Sequence, residues 1–421
     1  MHYFNFSKKL LDTSNKAFKM CKDIFLEIEN NSDLNQQKVL KAFIDQKISS
    51  RHFNLSTGYG YDDSGRDSLD KLYSQIFDGQ DALVRHNIVN GTHAISTALF
   101  GVLRPGDCMV SITGKPYDTL KKVIDCEEKS YGSLKDLGVS YLEVNPFCLD
   151  ETLDYEKIEL FLKKIKKINL IYLQRSKGYF FRPSVSIEKI KMLVSVVKKF
   201  HKNAVILCDN CYCEFVESCE PLKFGVDLIA GSLIKNPGGG IAPCGGYIVG
   251  KKELIKKCAF RLTTPGAGKD VGANLGVNRE LYMGVFNAPF VVSQALKVSV
   301  FASCVFELLG FEVFPRYDDQ RVDIVQMIKL ERREALLAFC KGIQMASPVD
   351  SFVVPEPWLM PGYEDEIIMA AGTFTQGASI ELTADAPFKK PFFVWLQGSL
   401  NFSSGKIGVL SAADQILKFG F

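Results

Sequence analysis

The clearest chemical opportunity in this sequence is a lysine just beyond an apolar strand, set between a serine and a run of glycines. The stretch is Ala230-Gly-Ser-Leu-Ile-Lys-Asn-Pro-Gly-Gly-Gly240. At such a strand end Lys235 can be partly desolvated, which lowers its pKa and frees its amine for imine chemistry. Most lysines after strands are merely solvated, so the position gains meaning from its company. Upstream, Ala204-Val-Ile-Leu-Cys-Asp209-Asn closes another apolar run on an aspartate. Strand C-termini of an open parallel sheet face the ligand crevice. A carboxylate there can pair with a protonated pyridine nitrogen and strengthen the ring as an electron sink. A helix cap or turn is the ordinary use of such an aspartate. The two strand-end residues together point to pyridoxal phosphate.

A third element, Val89-Asn-Gly-Thr-His-Ala-Ile95, runs from strand to helix through a small, hydroxyl-bearing turn. Free N–H groups at that helix start, with the Thr92 hydroxyl, would hold a phosphate. Alone, Thr92 reads as a common N-cap. Ile112-Thr-Gly-Lys-Pro-Tyr117 puts a tyrosine after a further strand, where its ring could stack on a flat cofactor. Cys208-x-x-Cys211-x-Cys213 suggests zinc at first sight, but the second ligand pair is missing and Cys208 falls inside a strand. Buried thiols are the better account, and no metal is expected.

Strands alternating with amphipathic helices position these residues. SLDKLYSQIF, THAISTALFGVL and VSIEKIKMLVSVVKKFHK read as helices; ALVRHNIV, CMVSIT, INLIYLQ, AVILCDN, DLIAGSLIK and GGYIVG read as strands. This rhythm predicts an α/β fold with a mostly parallel sheet covered by helices on both faces. We place an N-terminal helical segment at 1–54, the large α/β domain at 55–285 and a smaller α+β domain at 286–421. The last of these carries FELLGFEVFP, QGASIELTA and FFVWLQG. The N-terminal helix is expected to continue into CKDIFLEIEN. With 421 residues, 47% of them hydrophobic and 24% charged, the chain can bury a sizeable core. Its formal charge of +3 gives no sign of a nucleic-acid or membrane partner. Val291 to Gly310 is the most apolar stretch, but Gln294, Lys297 and Glu307 interrupt it. The N-terminus lacks the apolar run of an export signal, so a cytoplasmic protein with mostly free thiols is expected.

The long stretches TGYGYDDSGRDSLDKLYSQIF, VNGTHAISTALFGVLRPGD, TGKPYDTL, LQRSKGYFFRPS, CDNCYCEFVE, GSLIKNPGGGIAPCGGYIVG and MAAGTFTQGASIELTAD carry a resemblance. From about Phe53 onward the chain resembles the methionine γ-lyase family, related to cystathionine β-lyase, often labelled aluminium-resistance proteins, and grouped with fold-type I pyridoxal-phosphate enzymes. The resemblance implies Lys235 as the Schiff-base lysine and Asp209 as the ring-nitrogen partner. It implies Gly91, Thr92 and Ser232 as phosphate ligands, with Tyr117 or His93 stacking on the ring. In related lyases a tyrosine and an arginine from the neighbouring subunit complete the phosphate site. Tyr59, Tyr61 and Arg66 match them here, with Tyr59 preferred, so a homodimer or homotetramer with active sites at the subunit interface is expected.

One stretch departs from the pattern. Family members usually carry an arginine after SIELSADGP, where this chain has Thr383-Ala-Asp-Ala-Pro-Phe-Lys389-Lys390. If that arginine holds the substrate carboxylate, Lys389 replaces it with a point charge instead of a bidentate fork. Arg175 and Arg182 are alternative carboxylate-binding or structural arginines. The expected activity is elimination of a thiol from a sulfur amino acid such as methionine or cystathionine, giving a 2-oxo acid and ammonia. γ-Elimination is preferred over β-elimination on resemblance alone. Another fold-type I activity (aminotransferase or aldolase), or a cofactor-binding protein with little turnover, are the alternatives.

Overall fold

The structure is a computed structural model and describes residues 3–59, 63–125, 131–148 and 152–420. In chain order the helices and strands begin with α1 (Lys8–Met20), α2 (Lys22–Asp45), α3 (Ser64–Ile76), β1 (Asp81–Arg85) and α4 (Gly91–Val102). They continue with β2 (Cys108–Ser111), α5 (Asp118–Ile124), β3 (Ser140–Glu143), α6 (Tyr155–Lys163), β4 (Leu170–Gln174) and α7 (Ile187–Phe200). Then come β5 (Val205–Asp209), β6 (Leu228–Ser232), β7 (Gly246–Gly250), α8 (Lys252–Leu262) and α9 (Asn278–Leu308). The chain closes with β8 (Glu312–Phe314), β9 (Gln326–Lys329), α10 (Arg333–Met345), β10 (Ile367–Ala370), β11 (Thr383–Pro387), β12 (Phe393–Gln397) and α11 (Phe402–Lys418).

Two compact units result: one gathers residues 1–36 with 287–421, and the other is Gln37–Phe286. The segment 1–54, read from sequence as one helical portion, is divided between them. In the larger unit, among the described residues, a seven-stranded sheet has the order β1-β7-β6-β5-β4-β2-β3. Strands β3, β2, β4, β5 and β6 are parallel, and β7 is antiparallel to both β6 and β1. Every residue of β4, β6 and β7 is buried, as a sheet covered on both faces requires. One face packs Leu170, Tyr172, Leu207 and Ile248 against Ala94, Ala98 and Leu99 of α4 and Ile255 and Cys258 of α8. The expected mostly parallel α/β sheet is therefore present.

Strand ends depart from the sequence reading where side chains intervene. The run ALVRHNIV leaves the sheet after Arg85, and the Ile88 N–H turns back to the Arg85 carbonyl. Arg85 is anchored there by Asp70, whose two carboxylate oxygens accept from its guanidinium at 2.7 and 3.0 Å. Asp70 also accepts from the Val84 N–H at 2.8 Å and lies 3.1 Å from the Lys269 ammonium. Strand β3, an edge strand of mixed exposure, has no apolar run to announce it.

The other unit, among the described residues, holds an antiparallel five-stranded sheet of order β10-β11-β12-β9-β8, with α10 and α11 packed on each other and α10 also on β10 and β11. Residues of QGASIELTA before Thr383 are not strand. Instead the Glu381 carboxylate accepts from the N–H groups of Phe374 and Thr375 at 2.9 and 2.7 Å and folds that segment back. The predicted N-terminal helix gives way from α1 to α2 at Cys21, whose N–H still bonds the Ala17 carbonyl. Phe18 and Phe25 meet Phe402, and Phe402 meets Phe301, with centroids 5.1–6.1 Å apart. That aromatic cluster joins the N-terminal helices to the C-terminal residues. Helix α9 is long and apolar enough, by length and composition, to cross a bilayer, contrary to the reading of its charges as interruptions. Yet 94% of its most apolar window is buried inside the protein, as in a core helix.

Asp70 offers a direct test of the larger unit. Replacing it with alanine strands a buried guanidinium, so Asp70→Ala is expected to lose about 3–5 kcal/mol in denaturant unfolding. A loss below about 1 kcal/mol would show that the Arg85 anchor is not what ends β1.

Candidate active site

The sheet explains why residues distant in sequence meet. Asp209 ends β5 and pairs in register with Gln174 at the end of β4 and with Ala230 in β6. Ser232 ends β6, and Lys235 follows three residues later. Strand β1 points the same way and feeds α4 at Gly91. The carboxyl ends of parallel strands thus converge, which is where open α/β sheets hold ligands.

Lys235 is placed by the turn behind it. A Cβ added at Gly238 would fall 1.6 Å from the Leu233 carbonyl oxygen, so only glycine lets the chain fold back this closely. The Lys235 ammonium sits 3.9 Å from the ring centroid of Tyr212, over its face. Burial works against that charge, but its neighbours, Tyr212 first and Asp209 among them, outweigh it and hold the amine above the usual lysine range. Without a cofactor Lys235 is an ammonium ion. The expectation that desolvation would depress its pKa is therefore corrected: the surrounding acceptors and acids win.

Asp209 is buried, and its carboxylate is held from two sides. Oδ1 accepts from the Cys211 N–H at 3.1 Å and Oδ2 from the Tyr172 hydroxyl at 3.3 Å. Burial raises its pKa, while Lys235 and the Cys211 N–H oppose the rise. Burial also pushes the thiols of Cys208 and Cys211 up, so they stay protonated and apolar in character. Among the described residues, no group of three or more His, Cys, Asp or Glu could hold a metal.

At the start of α4, the Asn90 side chain accepts from the His93 N–H at 2.8 Å, and the Asn90 carbonyl takes the Ala94 N–H. This leaves the N–H groups of Gly91 and Thr92 pointing out of the helix start. A Cβ at Gly91 would come within 3.2 Å of the Cys211 sulfur and 3.4 Å of the Ser232 Cβ. Gly91, Ser232 and the turn after Asp209 are thus adjacent. The Thr92 hydroxyl lies 2.6 Å from that of Thr119, near the start of α5. Tyr117 caps that helix, its N–H bonded to Gln174 Oε1 at 2.7 Å and its ring 5.7 Å from that of Tyr179. His93 turns its Nδ1 to the Val89 N–H at 3.2 Å, and burial, then Arg261, lowers its pKa. It is a neutral ring tied to the backbone.

These residues fit pyridoxal phosphate: a primary amine, a buried carboxylate held by two donors, and a helix start with free N–H groups beside a serine. Other expected residues sit elsewhere. Tyr59 is 73% exposed, and Arg66 bonds the Gly58 carbonyl at 3.0 Å and Asp67 at 3.2 Å. Tyr61 lies outside the described residues. Arg175 is fully buried and bonds Asn210 Oδ1 at 2.7 Å, Glu217 and the Val185 carbonyl. Its guanidinium is thus taken up by protein acceptors. Arg182 donates to the carbonyls of Ser176 at 2.7 Å and Gln174 at 3.1 Å, bracing the end of β4. In the other unit, Lys389 is exposed and pairs with Asp365. A cavity of about 260 Å³ in that unit is lined by Thr373, Phe374, Glu381, Ser399 and Asn401, among others, and Lys389 is not part of its wall.

Tyr212, Gln174, Asn90 and Thr119 join the site without having been singled out from sequence. Tyr212 has a left-handed backbone, with φ of 70°, which turns its ring beneath Lys235. Its one signal was membership of the stretch CDNCYCEFVE.

Comparison with known proteins agrees along most of the chain. A family model described as methionine gamma-lyase matches residues 10–417. An uncharacterized Bacillus subtilis (strain 168) protein, YnbB, is 48% identical over 396 residues, covering 94% of this chain and 93% of the relative. The crystal structure of a carbon-sulfur lyase involved in aluminum resistance from Clostridium novyi NT superposes with a TM-score of 0.93 at 48% identity, covering 97% of this chain and 96% of that one. Cystathionine gamma synthase from Xanthomonas oryzae pv. oryzae shares the fold, with a TM-score of 0.59 at 14% identity over 91% of this chain and 99% of that one.

Proposed function

Because this chain belongs to the methionine gamma-lyase family, we propose that it is a pyridoxal-phosphate-dependent carbon–sulfur lyase acting on sulfur amino acids. The observation that carries this reading is the meeting of the Lys235 amine, the Asp209 carboxylate and the open start of α4 at one sheet edge. When bound, pyridoxal phosphate supplies an electron sink for charge developing at the substrate α-carbon.

The protein's own groups do the rest. Asp209, held in place by the Tyr172 hydroxyl and the Cys211 N–H, is the acceptor for a protonated ring nitrogen. Gly91, Thr92 and Ser232 offer donors to phosphate at a helix start, where the backbone favours an anion. Tyr117, held by Gln174, offers a flat face and a phenol. The Lys235 amine, once neutral, is the base that takes the α-proton. For a γ-leaving group it must also serve while a proton leaves Cβ, before the thiol departs. We favour γ-elimination. Incubating the holoprotein with methionine, cystathionine and alanine tests the proposal. Thiol, 2-oxo acid and ammonia are expected from methionine or cystathionine and none from alanine; amino-group transfer without thiol release would sink it.

We also infer self-association. Leu40, Ile44, Leu55, Tyr59, Leu275, Met283 and Phe286 are exposed apolar residues of the larger unit. Phe286 packs on Phe43 at 5.5 Å, and Leu55 reaches to 3.9 Å of where a Cβ at Gly276 would stand, so the exposed apolar groups of 40–59 and 275–286 lie on segments in contact. A second copy of the chain suits such a patch, and its Tyr59 and Arg66 would then border the neighbouring site. Light scattering at micromolar concentration should give twice or four times the chain mass; a fully active monomer would contradict it.

A further inference from the structure

The larger unit carries a second concave feature, a groove of about 690 Å³ at the amino end of its sheet. Its wall includes Asn169, just before β4, and Val205, the first residue of β5. Val102 and Phe200, the last residues of α4 and α7, border it as well. From Val205 the strand runs five residues to Asp209, about 13 Å away. The groove and the proposed active site therefore lie at opposite ends of the same strands, and they share no residue.

Six cations line the groove, Arg104, Lys166, Lys167, Lys199, Lys202 and Lys257, against one acid, Asp107. On a chain whose formal charge is only +3, this is a strong local concentration. Cations near helix C-termini ordinarily answer the carbonyls there, and part of the set does so. Arg104 folds over the end of α4 and donates to the carbonyls of Gly101 at 3.0 Å and Leu103 at 2.7 Å. Lys199 pairs with Glu159 at 3.2 Å, and Asp107 Oδ2 accepts from the Arg104 N–H at 2.9 Å. Lys166, Lys167, Lys202 and Lys257 are exposed and have no acidic partner among the described residues. Each helix C-terminus carries about half a negative charge. The two that border the groove, together with Asp107, therefore leave about three positive charges unanswered.

We propose that this groove binds a compact polyphosphate group carrying about three negative charges. Its four unpaired lysines come from three segments: the turn after α6, the turn after α7, and α8 itself. They converge on one concavity instead of forming a strip, which suits a compact anion better than an extended strand. The Phe200 ring is already engaged by the ammonium groups of Lys163 and Lys199, 5.3 and 5.1 Å from its centroid. The phosphates, and not a stacked base, are thus what the groove recognises.

Isothermal titration with inorganic triphosphate, on protein incubated with pyridoxal phosphate, tests this at physiological salt. Binding is expected, and the visible band of the lysine-linked cofactor should stay unchanged. Lys167→Gln combined with Lys202→Gln should weaken binding about tenfold. Added salt should weaken the wild type more than this variant. Lys8→Gln combined with Lys9→Gln removes the same charge from exposed positions of α1 and should bind like the wild type. Adenosine triphosphate should bind about as tightly as triphosphate. A wild type that does not bind, a groove variant of unchanged affinity, or an equal loss in the α1 variant overturns the inference. Loss of the cofactor band on titration would put the anion in the active site and overturns it too, as does tighter binding of a single-stranded oligonucleotide. Triphosphate binding by a wild type that shows no cofactor band sinks the lyase reading alone.

Discussion

A lysine ammonium buried among acids at the carboxyl edge of a parallel sheet is the constraint on which the site depends. Lys235 keeps its charge because the Tyr212 ring and Asp209 lie around it. Burial raises the Asp209 pKa, and Lys235 is the largest influence opposing that rise, while Tyr172 and the Cys211 N–H hold the carboxylate in place. Nearby, Arg175 answers Glu217 and Glu220, which leaves the lysine to answer Asp209. Removing one member would leave an unanswered charge in a dry interior, so the cluster is specified as a whole.

The sheet order makes this arrangement affordable in conformational terms. Neighbouring parallel strands β4, β5 and β6 set Gln174, Asp209 and Ala230 side by side by register, and Ser232 ends β6 two residues further on, without loop ordering. The start of α4 then reaches across to Ser232 and Cys211, because residue 91 is glycine. Four chain segments far apart in sequence meet at this edge. The rigid edge, rather than any loop, carries the chemistry.

Local signals made part of this legible. Lys235 and Asp209 each ended an apolar run beside turn residues, and Gly91-Thr92 opened an amphipathic helix. The α/β rhythm likewise exposed the sheet, since β4 to β7 are continuous apolar runs. What stayed hidden was non-local. Tyr212 matters through a left-handed backbone and Gln174 through its register with Asp209. The N-terminal helices could not be assigned to their unit, because Phe18 and Phe25 find Phe402 almost four hundred residues away. The ammonium of Lys235 was misjudged for the same reason: desolvation is readable from a strand end, but the acids that outweigh it are not.

The visible absorption spectrum of the purified protein after addition of pyridoxal phosphate, beside that of Lys235→Ala, tests the central claim most directly. The wild type is expected to show the band of lysine-linked cofactor, and the variant, with unchanged circular dichroism, to lack it. A wild type without the band, or a variant that retains it, would contradict the account.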